Sequence, residues 1–168
     1  LLTPQPGWTE QNPSDWVRES VAALKEMADR VAGHEIVALG LSGQMHGMVP
    51  LDAQAQVVRP ALLWNDQRTE SAVTEMEESV PRSDMIFRTG KPAITGVHVC
   101  KPSWMRQQET DNLAKTKHSL LPKDYLGFVL TGTMASEPSD NSGTNCFHLA
   151  SKTWDEEVLS ALDLNPSL

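Results

Sequence analysis

The chain has 168 residues, 39% of them hydrophobic and 21% charged, and a net charge of −8. That length suits about one domain with a core large enough to need no metal or disulfide, and the composition excludes a disordered or collagen-like chain. The acidic balance argues against nucleic acid or a membrane as partner, and no apolar run approaches the ~18 residues of a membrane span.

The first residues, Leu1-Leu2-Thr3-Pro4, contain neither an initiator Met nor a leader of basic and apolar character, which predicts a chain beginning inside a longer protein. Residues 1–12 are rich in Pro and Gln and are expected to be extended. Asn12-Pro13-Ser14-Asp15 is a helix start, with a capping residue, an early Pro and an acid in the first turn. In the helix that follows, Val17, Val21, Leu24, Ala28 and Val31 recur at steps of four and three and trace one buried stripe, and Gly33 ends it. The apolar run from Glu35 to Leu41 has the length and branched residues of a buried strand. Ser42-Gly43-Gln44-Met45-His46-Gly47 interrupts it as a loop, and Met48 to Val58 reads as a hairpin turning at Asp52-Ala53-Gln54-Ala55-Gln56. Ala61-Leu62-Leu63-Trp64 is a short strand that ends in the polar cluster Asn65-Asp66-Gln67-Arg68-Thr69.

Glu70 to Val80 is predicted as a polar, exposed helix, and residues 81–100, with Gly90, Pro92 and Gly96, as the least regular stretch. Further helices are expected from about Pro102 to Gln108, from Lys123 to Leu130 and from Trp154 to Leu162. Ser136 to Thr144 is read as a polar loop and Cys146 to Leu149 as a strand. Helices mixed with short strands give an α/β or α+β class. Cys100 and Cys146 lack metal or redox spacing and read as reduced thiols of a cytoplasmic protein.

Chemistry is expected just beyond strand ends, where open α/β folds collect their ligands. Gln44, Met45 and His46 follow one apolar strand, and Trp64, Asn65 and Asp66 follow another. Were the two strands neighbours, one pocket would hold an amide, an imidazole, a carboxylate and an indole face. That set suits a polyol or sugar, whose hydroxyls use donors and acceptors while its C–H face packs on a ring. The structural alternative is a satisfied loop histidine and a core tryptophan. Asp140, in Ser139-Asp140-Asn141-Ser142-Gly143-Thr144, is either a general base or a residue bonding neighbouring backbone amides. Asp124 is either a site residue or a cap for the helix after it. Phosphate-cradling glycine loops, HExxH and GxSxG are all absent from the sequence.

Taken together, Ser42-Gly43-Gln44-Met45-His46-Gly47, Leu51-Asp52 and Arg59-Pro60-Ala61-Leu62-Leu63-Trp64-Asn65-Asp66 resemble the FGGY carbohydrate kinases. So do Trp8-Thr9-Glu10-Gln11-Asn12-Pro13 with Trp16, Leu120-Leu121-Pro122-Lys123-Asp124-Tyr125, and Ser139 to Thr144. The motifs occur in the family's order and cover nearly the whole chain. Gln-Met-His-Gly coupled to Trp-Asn-Asp is similar to the members that phosphorylate D-xylulose rather than glycerol. A gluconate kinase would share Gln-Met-His and differ around the Trp.

The resemblance implies a ribonuclease H-like, actin- and hexokinase-type α/β fold, with residues 1–168 forming part of the N-terminal sugar-binding domain. It implies that the first strands and the C-terminal domain are missing. It places Met45, His46 and Trp64 at the sugar, with Gln44 beside them, and makes Asp66 a lesser contact or an organiser of its loop. It removes Asp140 as catalyst, since the family's general base is an Asp in a Gly-Asp segment expected beyond Leu168. ATP and Mg²⁺ are the implied cofactors, bound mainly by other segments, and a homodimer is among the implied assemblies. The alternatives are a kinase for ribulose or gluconate, or a sugar-binding fragment without catalysis. In Gly96-Val97-His98-Val99-Cys100-Lys101-Pro102-Ser103-Trp104 the family more usually has Gly-Phe-Thr-Ala-Pro-Lys-Leu-Leu-Trp. Lys101 and Trp104 keep that pattern, whereas an aromatic is lost and His98 is added.

Overall fold

In a computed structural model the described residues are 1–164. Two-residue strand β1 (Glu10–Gln11) leads into α1 (Pro13–Arg30), and Asn12 caps that helix by accepting from the Ser14 N–H at 3.1 Å. Strand β2 (Val49–Leu51) pairs antiparallel with β4 (His118–Leu120), and β3 (Ala61–Leu62) pairs antiparallel with β1. A bridge between Met48 and Leu62 joins the two pairs, so the strands run in the order β4, β2, β3, β1. Leu51 bridges Val57, and Asp52 Oδ1 accepts from the N–H groups of Gln54 and Gln56, which closes the expected hairpin.

The helices follow as α2 (Glu70–Ser79), α3 (Arg82–Thr89), α4 (Cys100–Gln108), α5 (Thr110–Lys115), α6 (Pro122–Thr131), α7 (Pro138–Asn141) and α8 (Glu156–Ala161). A 3-10 turn over Ser142–Thr144 continues α7, and the pair β5 (Phe147–His148) and β6 (Thr153–Trp154) precedes α8. One core gathers Met48, Leu62, Met76, Met85, Trp104 and Leu162 from six segments, and a second packs Val49, Leu51, Ala61 and Leu63 against Tyr125 and the start of α1.

Several expectations need correction. Segment 35–41 forms no strand, and Val37 is 85% exposed. An apolar run becomes a strand only when another backbone accepts its ladder hydrogen bonds, and among the described residues none does so. The stripe on α1 is likewise only half-covered at Val17, Val21, Leu24 and Val31, and Ala28 is exposed. Helix α2 is not polar throughout: Ala72 and Met76 are fully buried on one side of it. The stretch read as irregular contains α3, started at Pro81 and stopped by Gly90 at φ 80°. The loop from Ser136 is instead α7 and its 3-10 extension, capped by the Glu137 carboxylate on the N–H groups of Ser139 and Asp140. Asp124 caps nothing; its carboxylate accepts from Lys123 Nζ at 2.5 Å. Cys100 and Cys146 are free and buried, and burial pushes their thiols up to about 12 and about 11.

Candidate functional site

The strand that meets the Trp64 strand is the one starting at Met48, not the run ending at Leu41. Met48 and Leu62 exchange both backbone hydrogen bonds, at 2.9 and 3.0 Å. His46 lies two residues before this bridge and Trp64 two residues after it, both in turns outside the ladder. The two sequence-predicted clusters therefore flank the same bridge.

His46 sits at φ 66°, in the left-handed region that side-chain-bearing residues seldom occupy. Its Nδ1 lies 2.6 Å from the Gly143 carbonyl oxygen. A carbonyl only accepts, so Nδ1 carries the proton and Nε2 of the neutral ring is left with a lone pair. Burial lowers the ring's pKa, the Gly143 carbonyl opposes this, and the charges of Lys91 and Lys101 lower it further. The ring is thus a neutral acceptor at physiological pH, suited to a hydroxyl donor. Gly143 is required for this approach: a Cβ there would lie 2.7 Å from the Met45 methyl and 3.0 Å from His46 Cε1.

Met45 and Trp64 remain open to solvent, Trp64 with 55% of its surface exposed, and Gln44 is half-buried. Among the described residues the indole is not packed into either core. Asp66 is different. It is wholly buried, and its carboxylate accepts from the Thr9 N–H at 2.6 Å, from the Arg68 N–H at 3.0 Å and from the Arg68 guanidinium at 2.8–3.0 Å. Of its two expected roles, the geometry has the organiser of the loop and leaves no face for a ligand.

Sequence reasoning missed what lies beneath Trp64. Arg68 also pairs with Glu10 at 2.8 Å, Glu10 pairs with Arg59, and Arg59 pairs with Glu109 at 2.6 Å. The Arg68 guanidinium lies 3.9 Å from the Trp8 ring centre and 5.0 Å from that of Trp104, whose rings meet edge to face. The aromatic residues quoted around the first helix and at position 104 were the available signal, but nothing in their spacing places an arginine between them.

On the other side, His98 is buried and satisfied. Nδ1–H donates to the Gly47 carbonyl and Nε2 accepts from the Ser119 hydroxyl, both at 2.9 Å, and burial lowers its pKa to about 4. Asp140 is buried, with its carboxylate oxygens unbonded and Lys123 Nζ 3.6 Å away, so it does not bond backbone amides as expected. Burial raises its pKa, and nearby Asp124 and Glu137 add to that. Among the described residues no set of side chains is grouped to hold a metal ion, and no helix is long and apolar enough to cross a membrane.

Comparison with known proteins gives this geometry its context. The chain is 40% identical over 162 residues to the xylulose kinase of Escherichia coli, covering 96% of this chain and 33% of that protein. It superposes on the crystal structure of a xyloylose kinase from Brucella ovis with a TM-score of 0.93 and 34% identity, covering 99% of this chain and 35% of the other. A xylulose kinase structure from Rhodospirillum rubrum, at 24% identity and a TM-score of 0.95 over 99% of this chain and 35% of that one, shares the fold. The chain spans about a third of the length of the curated relatives it matches. The fold is accordingly that of sugar kinases of the actin and hexokinase type, in part. Because residues 1–168 match the N-terminal domain of the FGGY family of carbohydrate kinases from end to end, the chain belongs to that family.

Proposed function

We propose that the full-length protein phosphorylates D-xylulose at its terminal hydroxyl with ATP, and that residues 1–168 are part of its sugar-binding domain. The observation that carries this reading is a neutral, acceptor-bearing His46 and an exposed Trp64 flanking one strand bridge. His46 Nε2 accepts a sugar hydroxyl, Trp64 stacks on the carbon chain, and Met45 and Gln44 border the same opening. Relatives named as xylulose kinases at up to 40% identity support the choice of sugar.

Phosphoryl transfer depends mainly on positioning and charge stabilisation, and this segment contributes positioning. Membership of the family, rather than anything missing from these residues, supports assigning ATP, Mg²⁺ and the general-base Asp mainly to other parts of the full-length protein. In that protein Ile36 to Leu41 becomes a strand against a segment outside these 168 residues, which accounts for an apolar run left open here. A cytoplasmic location and a homodimer complete the reading.

A coupled ADP-release assay on the full-length protein with D-xylulose, D-ribulose, gluconate and glycerol tests it. D-xylulose is expected to give the highest kcat/KM; preference for gluconate or glycerol refutes the sugar assignment. His46→Ala is expected to raise the KM for xylulose severalfold with little change in melting temperature, in line with one lost hydrogen bond of about 1 kcal/mol. Unchanged xylulose kinetics would remove His46 from the sugar site.

A further inference from the structure

Lys101, on the first turn of α4, has no exposed surface. Its three ammonium protons face three backbone carbonyls: His46 at 2.7 Å, Val97 at 3.3 Å, and Gly96. Among the described residues no carboxylate forms an ion pair with it. Burial disfavours its charge and pushes its pKa down to about 7, and a Met or Leu would fill the same volume without that cost. Stability alone therefore gives no reason for a lysine here.

Position gives one. The His46 carbonyl belongs to the residue whose left-handed backbone aims the imidazole at Gly143. The Gly96 peptide, at φ 83°, lies so close to the Trp64 carbonyl that a Cβ on Gly96 would sit 2.0 Å from that oxygen. One side-chain nitrogen thus holds main chain on both sides of the site: directly at His46, and through Gly96 at Trp64. A carbonyl contact fixes peptide orientation, and the orientation of the His46 peptide sets where the ring goes.

We propose that Lys101 is a positioning residue for sugar recognition, whose ammonium locks the His46 and Gly96 carbonyls and so fixes the imidazole relative to Trp64. The inference rests on the sugar-site reading above, and two separate measurements in the full-length protein keep the two apart. The first is kinetic. Lys101→Met is expected to raise the sugar KM about tenfold, the scale of a lost hydrogen bond to a charged group, with the ATP KM unchanged. Val158→Ala, which opens the core at α8, is the control for general destabilisation and is expected to leave both constants unchanged. An unchanged sugar KM in folded Lys101→Met, or an equal rise in Val158→Ala, overturns the proposal.

The second measurement needs no substrate. In ¹⁵N-imidazole NMR the Nδ1 proton of His46 should exchange slowly in the wild type and in Val158→Ala, and rapidly in Lys101→Met. Loss of that protection alongside absent xylulose turnover in the wild type would leave Lys101 its role and refute the sugar. If Lys101→Met does not fold, Lys101→Gln and the wild-type ammonium signal decide. Slowly exchanging Lys101 ammonium protons with cross-peaks to His46 support the clamp; rapidly exchanging ones overturn it.

Discussion

The two arms of the site are held in opposite ways. The His46 arm is fixed by side chains donating to main-chain carbonyls: Lys101 to His46 and His98 to Gly47. The Trp64 arm is fixed by charges meeting charges, with Asp66, Arg68, Glu10, Arg59 and Glu109 in a chain of ion pairs packed around Trp8 and Trp104. The first arrangement shapes an unusual backbone and leaves an acceptor free. The second makes a rigid base under a side chain that itself touches little. A recognition loop can therefore be orienting or merely supporting, and the chemistry beneath it tells which.

The sharpest way to break this contrast is to remove the central charge of the Trp64 arm. Arg68→Ala leaves Asp66 buried without a cation and Glu10 with Arg59 alone, and breaking such a buried pair costs about 3–5 kcal/mol. For a chain of this size the expected fall in Tm is on the order of 10 °C. Arg68→Lys should recover little of it, because an ammonium cannot contact Asp66 through two nitrogens while lying flat on Trp8. Thermal melts of the two variants check this, and a loss below about 1 kcal/mol for Arg68→Ala would mean that packing, not charge, holds the arm.

The His46 arm should show its own signature in acid. His98 has its pKa lowered from 6.5 to about 4 by burial, so the unfolded chain takes up a proton at a higher pH than the folded one. Stability then falls as pH drops from about 6.5 towards about 4, by roughly 3 kcal/mol for this residue. His46, also lowered, adds in the same direction, while Asp140, raised, opposes it at lower pH. The readout is therefore a difference. His98→Asn keeps an amide donor for the Gly47 carbonyl but cannot titrate, so urea unfolding at pH 7 and pH 4.5 should give a flatter dependence than the wild type. Equal slopes would show that His98 does not carry the acid sensitivity of this arm.

The sequence made parts of both arms legible and hid others for physical reasons. Asn12-Pro13, Gly132 and the Asp52 hairpin are local signals, and the structure has them where the spacing predicts. Gln44-Met45-His46 and Trp64 could be singled out because polar groups after an apolar strand are uncommon, although it is Met48, not Leu41, that neighbours the Trp64 strand. The run from Glu35 to Leu41 reads as a strand yet forms none among the described residues, because an apolar pattern reports what a segment needs to bury, not whether a partner is present. Helix α3 was hidden by a composition of charge, Gly and Pro that also suits a loop. Arg68 meets Glu10 across 58 positions, His98 meets Gly47 across 51 and Lys101 meets His46 across 55, and a single sequence gives no spacing rule for such contacts. Asp66 illustrates the limit well, since the same strand-end position that suggested a ligand contact is where a buried organiser is needed.

The smallest stability effect is expected at Trp64, and it is the most informative about function. Its ring is largely exposed, and Thr9, Asp66 and Arg68 hold the loop without it. Trp64→Ala should therefore change stability by no more than about 0.5 kcal/mol, the range of surface substitutions. If the ring is there to stack on a sugar, the same change should raise the xylulose KM, with Trp64→Phe recovering part of the loss because a smaller aromatic face remains. A folded Trp64→Ala enzyme with wild-type KM would make the indole a bystander, and the ionic block beneath it would then serve stability alone. A raised KM at unchanged Tm would separate the two functions of this arm within a few residues of each other: Asp66 and Arg68 for support, Trp64 for contact.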